Sequence, residues 1–207
     1  MGSGRVQPRA LRPGGRTTRV RAQVLQAAGD VLAEQGFTHL DLADVARRAG
    51  VGKTTVYRRW GTVAGLVADL LIDMAEQSLP RTETGILLDD LKANAQLVRR
   101  TLADARQGSL FKSIIAAAMC DARAASAMHG FYDTRIAEWV PCVQQAIERG
   151  EVPQGTDTHK VIRAVSAPLY YHLLVTGDSI DETMADQAAQ AAVIAARAGV
   201  YMRPGHS

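Results

Sequence analysis

Residues 47–60 read RRAGVGKTTVYRRW, and two incompatible functions can be assigned to this stretch. Its centre, Gly50 to Thr54, looks like the end of a phosphate-binding loop, which would make the chain a nucleotide-hydrolysing enzyme. Taken with its flanks, the same stretch looks like the turn and second helix of a helix-turn-helix, which would make the chain a DNA-binding protein. The fold and the function both depend on which interpretation holds.

The phosphate-loop interpretation fails on two observations. A motif of the form G-x-x-x-x-G-K-[ST] that ends at Thr54 requires its first glycine at position 47, and that position is Arg. The loop also needs a buried strand before it, whereas the apolar residues from Leu42 to Ala49 recur at the i, i+3, i+4 and i+7 spacing of one helix face. We therefore disfavour a P-loop-type NTPase and keep it only as the alternative from a different class.

The composition favours an all-helical protein. Of the 207 residues, 47% are hydrophobic but only 5% are aromatic, and alanine, the best helix former, supplies much of the apolar share. No apolar run is long enough to span a membrane, and the basic N-terminus lacks the apolar centre of a secretory signal. Two cysteines, Cys120 and Cys142, do not make a disulfide framework, which fits two packed thiols in a reducing cytoplasm.

The charges are divided unevenly along the chain. Residues 1–60 hold eleven Lys or Arg against four Asp or Glu, while the remainder holds thirteen against seventeen. A basic end on an acidic body is the charge pattern of a nucleic-acid-binding protein with a separate second module. Residues 1–17, rich in Gly, Pro and Arg, are expected to form a flexible basic arm that could reach DNA.

Local signals predict three helices in the next segment. The first is expected at about 18–35 and is closed by Gly36. Asp41 should cap the second helix, with Asp44 three residues later completing a weak capping box. The second and third helices together predict a helix-turn-helix over residues 41–60. The third helix has only Val56 and Trp60 as inward residues. It is therefore expected to lie on the surface and to bind a ligand, such as the groove of DNA.

Residues of this segment show a resemblance to the pattern of a known protein family. The residues that carry it are Gly36-Phe37, Asp44-Val45-Ala46, Ala49-Gly50-Val51, Lys53, Thr55-Val56-Tyr57 and Trp60, which are similar to the pattern of the tetracycline-repressor (TetR) family of transcription regulators. The match covers about residues 18–78. It implies an all-α protein of about nine helices, with a three-helix DNA-binding head and linking helix over 18–78 and a ligand-binding and dimerisation domain over 79–207.

The resemblance also implies roles for exposed residues. Thr55 and Tyr57 are expected to contact phosphates, and the face around Lys53 reads the major groove. The residues expected to contact DNA are Arg47, Lys53, Thr54, Thr55, Tyr57, Arg58 and Arg59. The sequence departs from the family pattern at Asp41, Gly52, Thr54 and Val63, and the changes at Asp41 and Val63 put two phosphate contacts in doubt.

Six further segments have helical patterns. The linking helix is expected at 62–79 and is stopped by Pro80, and the others are expected at 85–106, 108–119, 123–149, 157–176 and 181–199. Pro141 and Pro168 should kink two of them. The last two helices carry many small residues, such as Ala188, Ala189 and Ala192, which would suit a helix pair that packs against its copy in a homodimer.

The body is expected to bind a small-molecule effector whose identity the sequence does not give. The candidate pocket residues are Phe111, Ile114, Met119, Phe131, Tyr132, Trp139, Tyr170 and His172. No His or Cys cluster has metal-ligand spacing, so we expect no catalytic residues, no metal and no cofactor. The resulting hypothesis is a ligand-responsive repressor that binds a palindromic operator in double-stranded DNA, with an activator or a regulator without a ligand as the alternative.

Overall fold

Alanine-rich amphipathic segments form ten α-helices in the part of the chain that the structure, a computed structural model, describes, which is residues 14–77 and 83–203. The ten helices are α1 (Gly14–Gln35), α2 (Leu42–Arg48), α3 (Lys53–Trp60), α4 (Val63–Glu76), α5 (Leu87–Ala103), α6 (Ala105–Cys120), α7 (Ala122–Ala137), α8 (Val140–Glu148), α9 (Thr158–Tyr171) and α10 (Glu182–Arg197). The predicted all-α class is confirmed. None of the described helices is long and apolar enough to cross a membrane.

The first three helices form the predicted head. Asp41 caps α2 by accepting hydrogen bonds from the backbone N–H groups of Ala43 and Asp44, at 2.8 and 3.0 Å. Gly36, with φ at +82°, ends the first helix in a backbone region that a side chain would disfavour. Helix α1 begins at Gly14, so the last residues of the predicted arm, 14–17, are helical. The rest of that arm lies outside the described residues, as does Pro80.

The head and the body share packing surfaces. Helix α1 packs against α2 and α4 but also against α6, and α4 packs against α7. Within the body, α10 packs on α5 and α9, and α5 also contacts α9. The apolar core runs through both parts, because Val24 and Leu32 of α1 and Leu66 of α4 join the same cluster of buried side chains as Ile114 of α6. The position of the head is therefore coupled to the packing of the body.

One predicted helix is two helices in the structure. The segment 123–149 was expected to be continuous with a kink at Pro141, but α7 ends at Ala137 and α8 begins at Val140, with Pro141 in its first turn. Proline suits the first turn of a helix because the N–H that it lacks has no intrahelical partner there. Pro141 therefore starts a new helix instead of bending an old one.

Pro168 acts differently because it lies inside α9. It removes one N–H from the helical hydrogen-bond ladder. The chain after α9 continues as a wider π-type turn over His172–Thr176 and ends at Gly177, whose N–H donates to the carbonyl of His172 at 2.9 Å. Gly177 has φ at +72°, which confirms it as the predicted stop of this segment.

Most of the small residues of the last helix face into the protomer, although Ala191 is exposed. Most of the alanines that were expected to suit a helix-to-helix contact between two copies are buried within the protomer: Ala185, Ala188, Ala189, Ala192 and Ala196. Helix α10 packs on α5 and α9, so these short side chains permit close packing inside one chain. Ala167 and Ala191 are exposed on the last two helices, α9 and α10. Dimerisation through these helices stays a prediction, because periodicity alone does not show which neighbour a helix face meets.

Gly65 on α4 lies close to the end of α3 and to α7. A Cβ at this position would overlap the carbonyl oxygen of Trp60 and lie 2.8 Å from a guanidinium nitrogen of Arg123 on α7. We expect Gly65→Ala to lower the free energy of unfolding by about 1–3 kcal/mol, because a backbone oxygen must move to admit the methyl group. Thermal or urea unfolding measures the change.

Gly130→Ala is the matched control for this prediction. Gly130 lies within α7, and a Cβ there would meet no atom within 4 Å. That variant should gain up to about 1 kcal/mol, since alanine restricts the unfolded chain more than glycine does. Equal stabilities for the two variants would contradict the steric role of Gly65.

Candidate DNA-binding helix and internal cavity

Helix α3 is held to the protein by a small part of its surface. Among its eight residues, only Val56 and Trp60 are buried, at 0% and 4% exposure. These two side chains lie one turn apart, so they define a single inward face. Tyr57 is 46% exposed although it is aromatic, and Lys53, Thr54, Arg58 and Arg59 are exposed as well. The helix therefore presents polar and basic side chains to its surroundings, as the sequence predicted.

A polar contact fixes α3 to its neighbours. The indole Nε1–H of Trp60 donates to Oδ2 of Asp69 on α4 at 2.9 Å. The same carboxylate receives three hydrogen bonds from Arg21 on α1: from Nε to Oδ2 at 3.1 Å and to Oδ1 at 3.3 Å, and from a terminal nitrogen to Oδ1 at 2.9 Å. We call these three residues the Asp69 junction. It joins α1, α3 and α4 through one half-buried carboxylate, and sequence periodicity gave no sign of it.

The junction also sets the ionisation of its members. Burial alone would raise the pKa of the Asp69 carboxyl, but the hydrogen bonds from Arg21 and Trp60 oppose it and the net effect is a lowered pKa. The same contacts with Asp69 raise the pKa of Arg21. Arg21 extends the contact to Asp73, one turn along α4, at 2.5 Å. The Asp69 carboxylate thus remains charged when the head is folded.

The predicted DNA-binding residues fall into two groups by position. Arg58 and Thr54 project opposite to the buried pair Val56 and Trp60, as their helical spacing requires, and Thr55 is half-buried beside them. Arg59 instead lies over the Trp60 ring, with its guanidinium carbon 5.2 Å from the ring centroid, a cation–π contact. Arg59 is therefore directed to the side of α3, toward α4.

Arg47 and Asp44 form an ion pair on the surface of α2. Asp44 also accepts a hydrogen bond from Arg48 at 3.1 Å, and Arg48 reaches Glu34 on α1 at 2.8 Å. The hydrogen bond from Arg47 lowers the pKa of the Asp44 carboxyl. The predicted capping-box role of Asp44 is thus replaced by these ion pairs. The Arg47 side chain is 72% exposed and stays a predicted phosphate contact.

The structure offers no strand for a phosphate loop at this site. Residues 42–48, which would have to form that strand, are helix α2, and the turn to α3 follows at Gly50 with φ at +64°. Among the described residues, no group of three or more His, Cys, Asp or Glu is placed to hold a metal ion. Residues 47–60 are therefore the end of one helix, a turn and a second helix.

A cavity of about 550 Å³, partly open to solvent, lies between the helices of the body and those of the head. Its lining includes Leu25 and Gly29 of α1 and Leu70 and Met74 of α4, together with residues of α5, α6, α7 and α9. Of the eight predicted pocket residues, five line it: Phe111, Phe131, Tyr132, Trp139 and Tyr170. A volume in this range suits a drug-sized molecule.

Three predicted pocket residues do not line this cavity. Met119 is 83% exposed near the end of α6, and His172 belongs to the π-type turn, where it approaches Asp178 at 3.6 Å. Ile114 is buried in the core, which is the ordinary role of an isoleucine at helical spacing. Sequence spacing placed these side chains on helices correctly but did not give the direction in which each one points.

An exposed basic helix on a helix-turn-helix, joined to a helical body that encloses a cavity, defines a DNA-binding regulator. Known proteins support this class. Residues 24–70 match the family described as "Bacterial regulatory proteins, tetR family", and residues 81–192 match the "Tetracyclin repressor-like, C-terminal domain". The chain belongs to the TetR family, a family of transcription regulators and not of enzymes, and it is a DNA-binding regulator of transcription.

Individual relatives cover most of the chain. The HTH-type transcriptional regulator YdeS of Bacillus subtilis is 30% identical over 161 residues, which is 77% of this chain and 81% of the relative. The DNA-binding transcriptional repressor TetR of Mycobacteroides abscessus is 28% identical over 89% of this chain and 94% of its own. The crystal structure of the TetR family regulator SCO0332 matches with a TM-score of 0.66 at 26% identity, covering 85% of this chain and 97% of that one.

The Asp69 junction predicts a pH dependence of stability. Because the folded state lowers the pKa of Asp69 below its ordinary value of 3.8, the junction contributes stability above that pH and loses it as the pH falls through the lower, folded value. We expect Asp69→Asn to lower the free energy of unfolding by about 1–3 kcal/mol at neutral pH and to flatten its decline below about pH 4. Unfolding measured from about pH 3 to 7 tests both effects.

The matched control is Asp178→Asn, at a carboxylate whose side chain is 67% exposed. That variant should follow the parent protein across the same pH range, since exposed charge pairs contribute little. If Asp69→Asn and the parent lose stability in acid with the same slope, the junction does not set the acid sensitivity of the head.

Proposed function

We propose that the protein is a ligand-responsive repressor that binds a palindromic operator as a homodimer. The observation that carries this proposal is that α1 and α4, the two helices joined to α3 by the Asp69 junction, also line the cavity. A molecule in the cavity thus contacts the same helices that hold the DNA-binding helix. The Mycobacteroides abscessus relative is a transcriptional repressor, which supports repression over activation as the proposed function.

In the proposed complex with DNA, α3 enters the major groove. Lys53, Thr54 and Arg58 face the base edges, because the first residues and the outward face of a recognition helix meet them. Thr55 and Tyr57, which lie on opposite sides of α3, contact phosphates on the two sides of the groove. Arg47 is proposed to contact the neighbouring backbone, and Arg59 would have to leave the Trp60 ring to do so. A dimer would set two such helices about 34–36 Å apart, or a multiple of that distance, over two half-sites.

The proposed dimer surface is the outer face of the last two helices. Four large apolar side chains are exposed there: Tyr171 at 55%, Leu174 at 45%, Val175 at 65% and Ile194 at 59%. Residues 178–181 connect this segment to α10 by a short turn, so α9 and α10 form an antiparallel pair. An exposed apolar patch on such a pair suits a two-fold contact, in which the same surface serves both copies.

The proposed effector acts through the relative stability of two conformers. A ligand shifts such an equilibrium only by as much as its affinities for the two states differ. Because the cavity is bounded by α1 and α4 on one side and by α5, α6, α7 and α9 on the other, its shape changes whenever the head moves on the body. Ligand binding would then favour a spacing of the two α3 helices that does not fit the operator. A cytoplasmic location and a DNA contact by the N-terminal arm stay predictions.

Removal of one groove-facing cation tests the DNA-binding assignment. We expect Arg58→Ala to weaken binding to an operator duplex by about 1–3 kcal/mol, the usual contribution of an arginine at a base edge. Fluorescence anisotropy at a fixed salt concentration, with a duplex taken from the DNA that flanks the reading frame, measures the loss. Unfolding temperatures should stay equal, since Arg58 is exposed.

The control for this measurement is Arg149→Ala. Arg149 follows α8 and pairs with Glu151 at 3.1 Å. The substitution therefore removes one positive charge from the body, as Arg58→Ala removes one from α3. Its operator affinity should match that of the parent protein. An equal loss in both variants would show that overall charge, and not the position of Arg58, governs binding.

The dimer surface is tested by a charge placed in its apolar patch. We expect Val175→Glu to convert the dimer to a monomer and to weaken operator binding, because a buried unpaired carboxylate is costly at an interface. Sedimentation velocity gives the mass of each variant. Ile86→Glu is the matched control, since Ile86 is 55% exposed before α5 and lies outside the patch. A dimeric Val175→Glu variant would place the interface elsewhere.

A further inference from the structure

Helix α4 ends without a cation of its own. Its last turn contains Asp73 and Glu76 but no Lys, Arg or His, although positive charge is the favourable sign at the C-terminal end of a helix. The last four backbone carbonyls of an α-helix also lack an intrahelical donor. A side chain from elsewhere in the chain that brings both positive charge and N–H donors would therefore stabilise this end of α4.

Arg135 of α7 supplies these donors. One terminal guanidinium nitrogen of Arg135 donates to the backbone carbonyls of Met74 and Gln77, the latter at 2.8 Å. Met74 lies in the last turn of α4, and Gln77 is the residue that follows the helix. Basic side chains that bind the last carbonyls of a helix are a common form of C-terminal cap. Here the cap comes from a different helix, so it also fixes the end of α4 to α7.

The Arg135 side chain is itself held in the wall of the cavity. Its other terminal nitrogen binds Glu138 at 2.9 Å, and its guanidinium carbon lies 5.4 Å from the centroid of the Phe131 ring. All the residues of this contact, including Met74 and Gln77, line the cavity. Because a planar guanidinium group meets partners in fixed directions, these contacts determine where the end of α4 lies relative to α7.

The same part of α4 holds the helices of the head. Asp69 accepts the indole N–H of Trp60 at 2.9 Å, and Asp73, one turn later, pairs with Arg21 of α1. Asp73 directly precedes the first residue whose carbonyl binds α7, so the contacts with the head and with the body lie on adjacent residues. A displacement of the last turn of α4 would therefore move the carboxylates that hold α1 and α3.

We propose that Arg135 is a positioning residue for DNA binding, which fixes the end of α4 at the cavity wall and thereby sets the orientation of α3. This role rests on the proposed operator-binding function and adds the residue through which the body controls the head. Arg135 acts through α4 and the Asp69 junction and does not touch DNA. A molecule that occupies the cavity lies against this contact, because its members form part of the wall.

Arg135→Met tests whether this contact holds the end of α4. Methionine is long enough to keep contact with the Phe131 ring, but it removes the donors and the charge. Backbone amides at residues 70–77 of the full-length protein should then exchange hydrogen at least about tenfold faster, because hydrogen bonds from a charged donor contribute more than neutral ones. Exchange in α10 should stay as in the parent protein. Mass spectrometry of peptides from each segment measures both rates.

Arg99→Met is the matched control. The side chain of Arg99 on α5 is 18% exposed, against 19% for Arg135, and it also joins two helices by binding Glu182 of α10 at 3.2 Å. Among the described residues that line the cavity, Arg99 is absent. This variant should leave exchange in α4 unchanged. Equal acceleration of α4 in both variants, or none in Arg135→Met, would overturn the capping role of Arg135.

Operator duplexes with altered half-site spacing measure the consequence for DNA binding. A dimer binds two half-sites whose separation matches that of its recognition helices, so one base pair added at the centre should weaken binding by the parent protein. In Arg135→Met the α3 helices are held less firmly. The ratio of the affinities for the two duplexes should therefore fall by about 2–30-fold in this variant and stay unchanged in Arg99→Met.

Salt dependence separates positioning from direct contact. The slope of log affinity against log salt should be the same for Arg135→Met and the parent protein, because no phosphate contact is lost. A slope reduced by about 0.9, the value for one phosphate contact, would show that Arg135 touches DNA and would contradict the positioning role.

The outcomes also separate this role from the function on which it rests. If the parent protein binds the operator and Arg135→Met keeps the same preference for half-site spacing, the positioning role is wrong and the DNA-binding function is intact. If the parent protein binds no duplex from the flanking DNA, the proposed operator-binding function fails, and the exchange rates still decide whether Arg135 holds the end of α4.

Discussion

The carboxylate of Asp69 is the contact on which the DNA-binding end of the molecule depends. Helix α3 has eight residues and buries two side chains, too few for its own propensity to hold it in place. Trp60 supplies most of that buried surface, and its indole N–H requires an acceptor once it leaves water. Asp69 provides the acceptor and is kept charged by Arg21. Three helices thus meet at one polar group, which leaves the rest of α3 free to be polar and basic.

The same contact extends to the wall of the cavity. Arg21 binds Asp69 with one edge of its guanidinium group and Asp73 with another nitrogen, and Asp73 lines the cavity. Helix α1 makes a second such link through Asp30, which pairs with Arg106 of the cavity wall. Arg21 and Asp30 of α1 are thus both paired with side chains of the cavity wall. Arg21 also binds Asp69, the acceptor that holds Trp60 of α3.

Local rules predicted most of the head and fewer features of the body. The cap at Asp41, the stop at Gly36 and the inward pair on α3 depend on neighbours within one or two turns, and spacing reveals such features. The Asp69 junction joins residues far apart in sequence, and the alanines of α10 could have met either a copy or α5. Met119, Ile114 and His172 were misplaced for the same reason, because a helical period does not identify the neighbour. The cavity is lined by six helices, so no single segment of the sequence reveals its shape.

The charged side chains of the cavity wall limit how an effector can act on the head. An ionic ligand could compete for Arg106 or Asp73 and break their ion pairs with α1 directly. A neutral ligand has no such competition available, so those pairs persist while it binds. Its preference for one conformer must then come from the fit of its body between α1, α4 and the rings of Phe131 and Tyr170. In that case the ion pairs move with α1 as rigid connections, and the shape of the cavity decides where the DNA-binding helix lies.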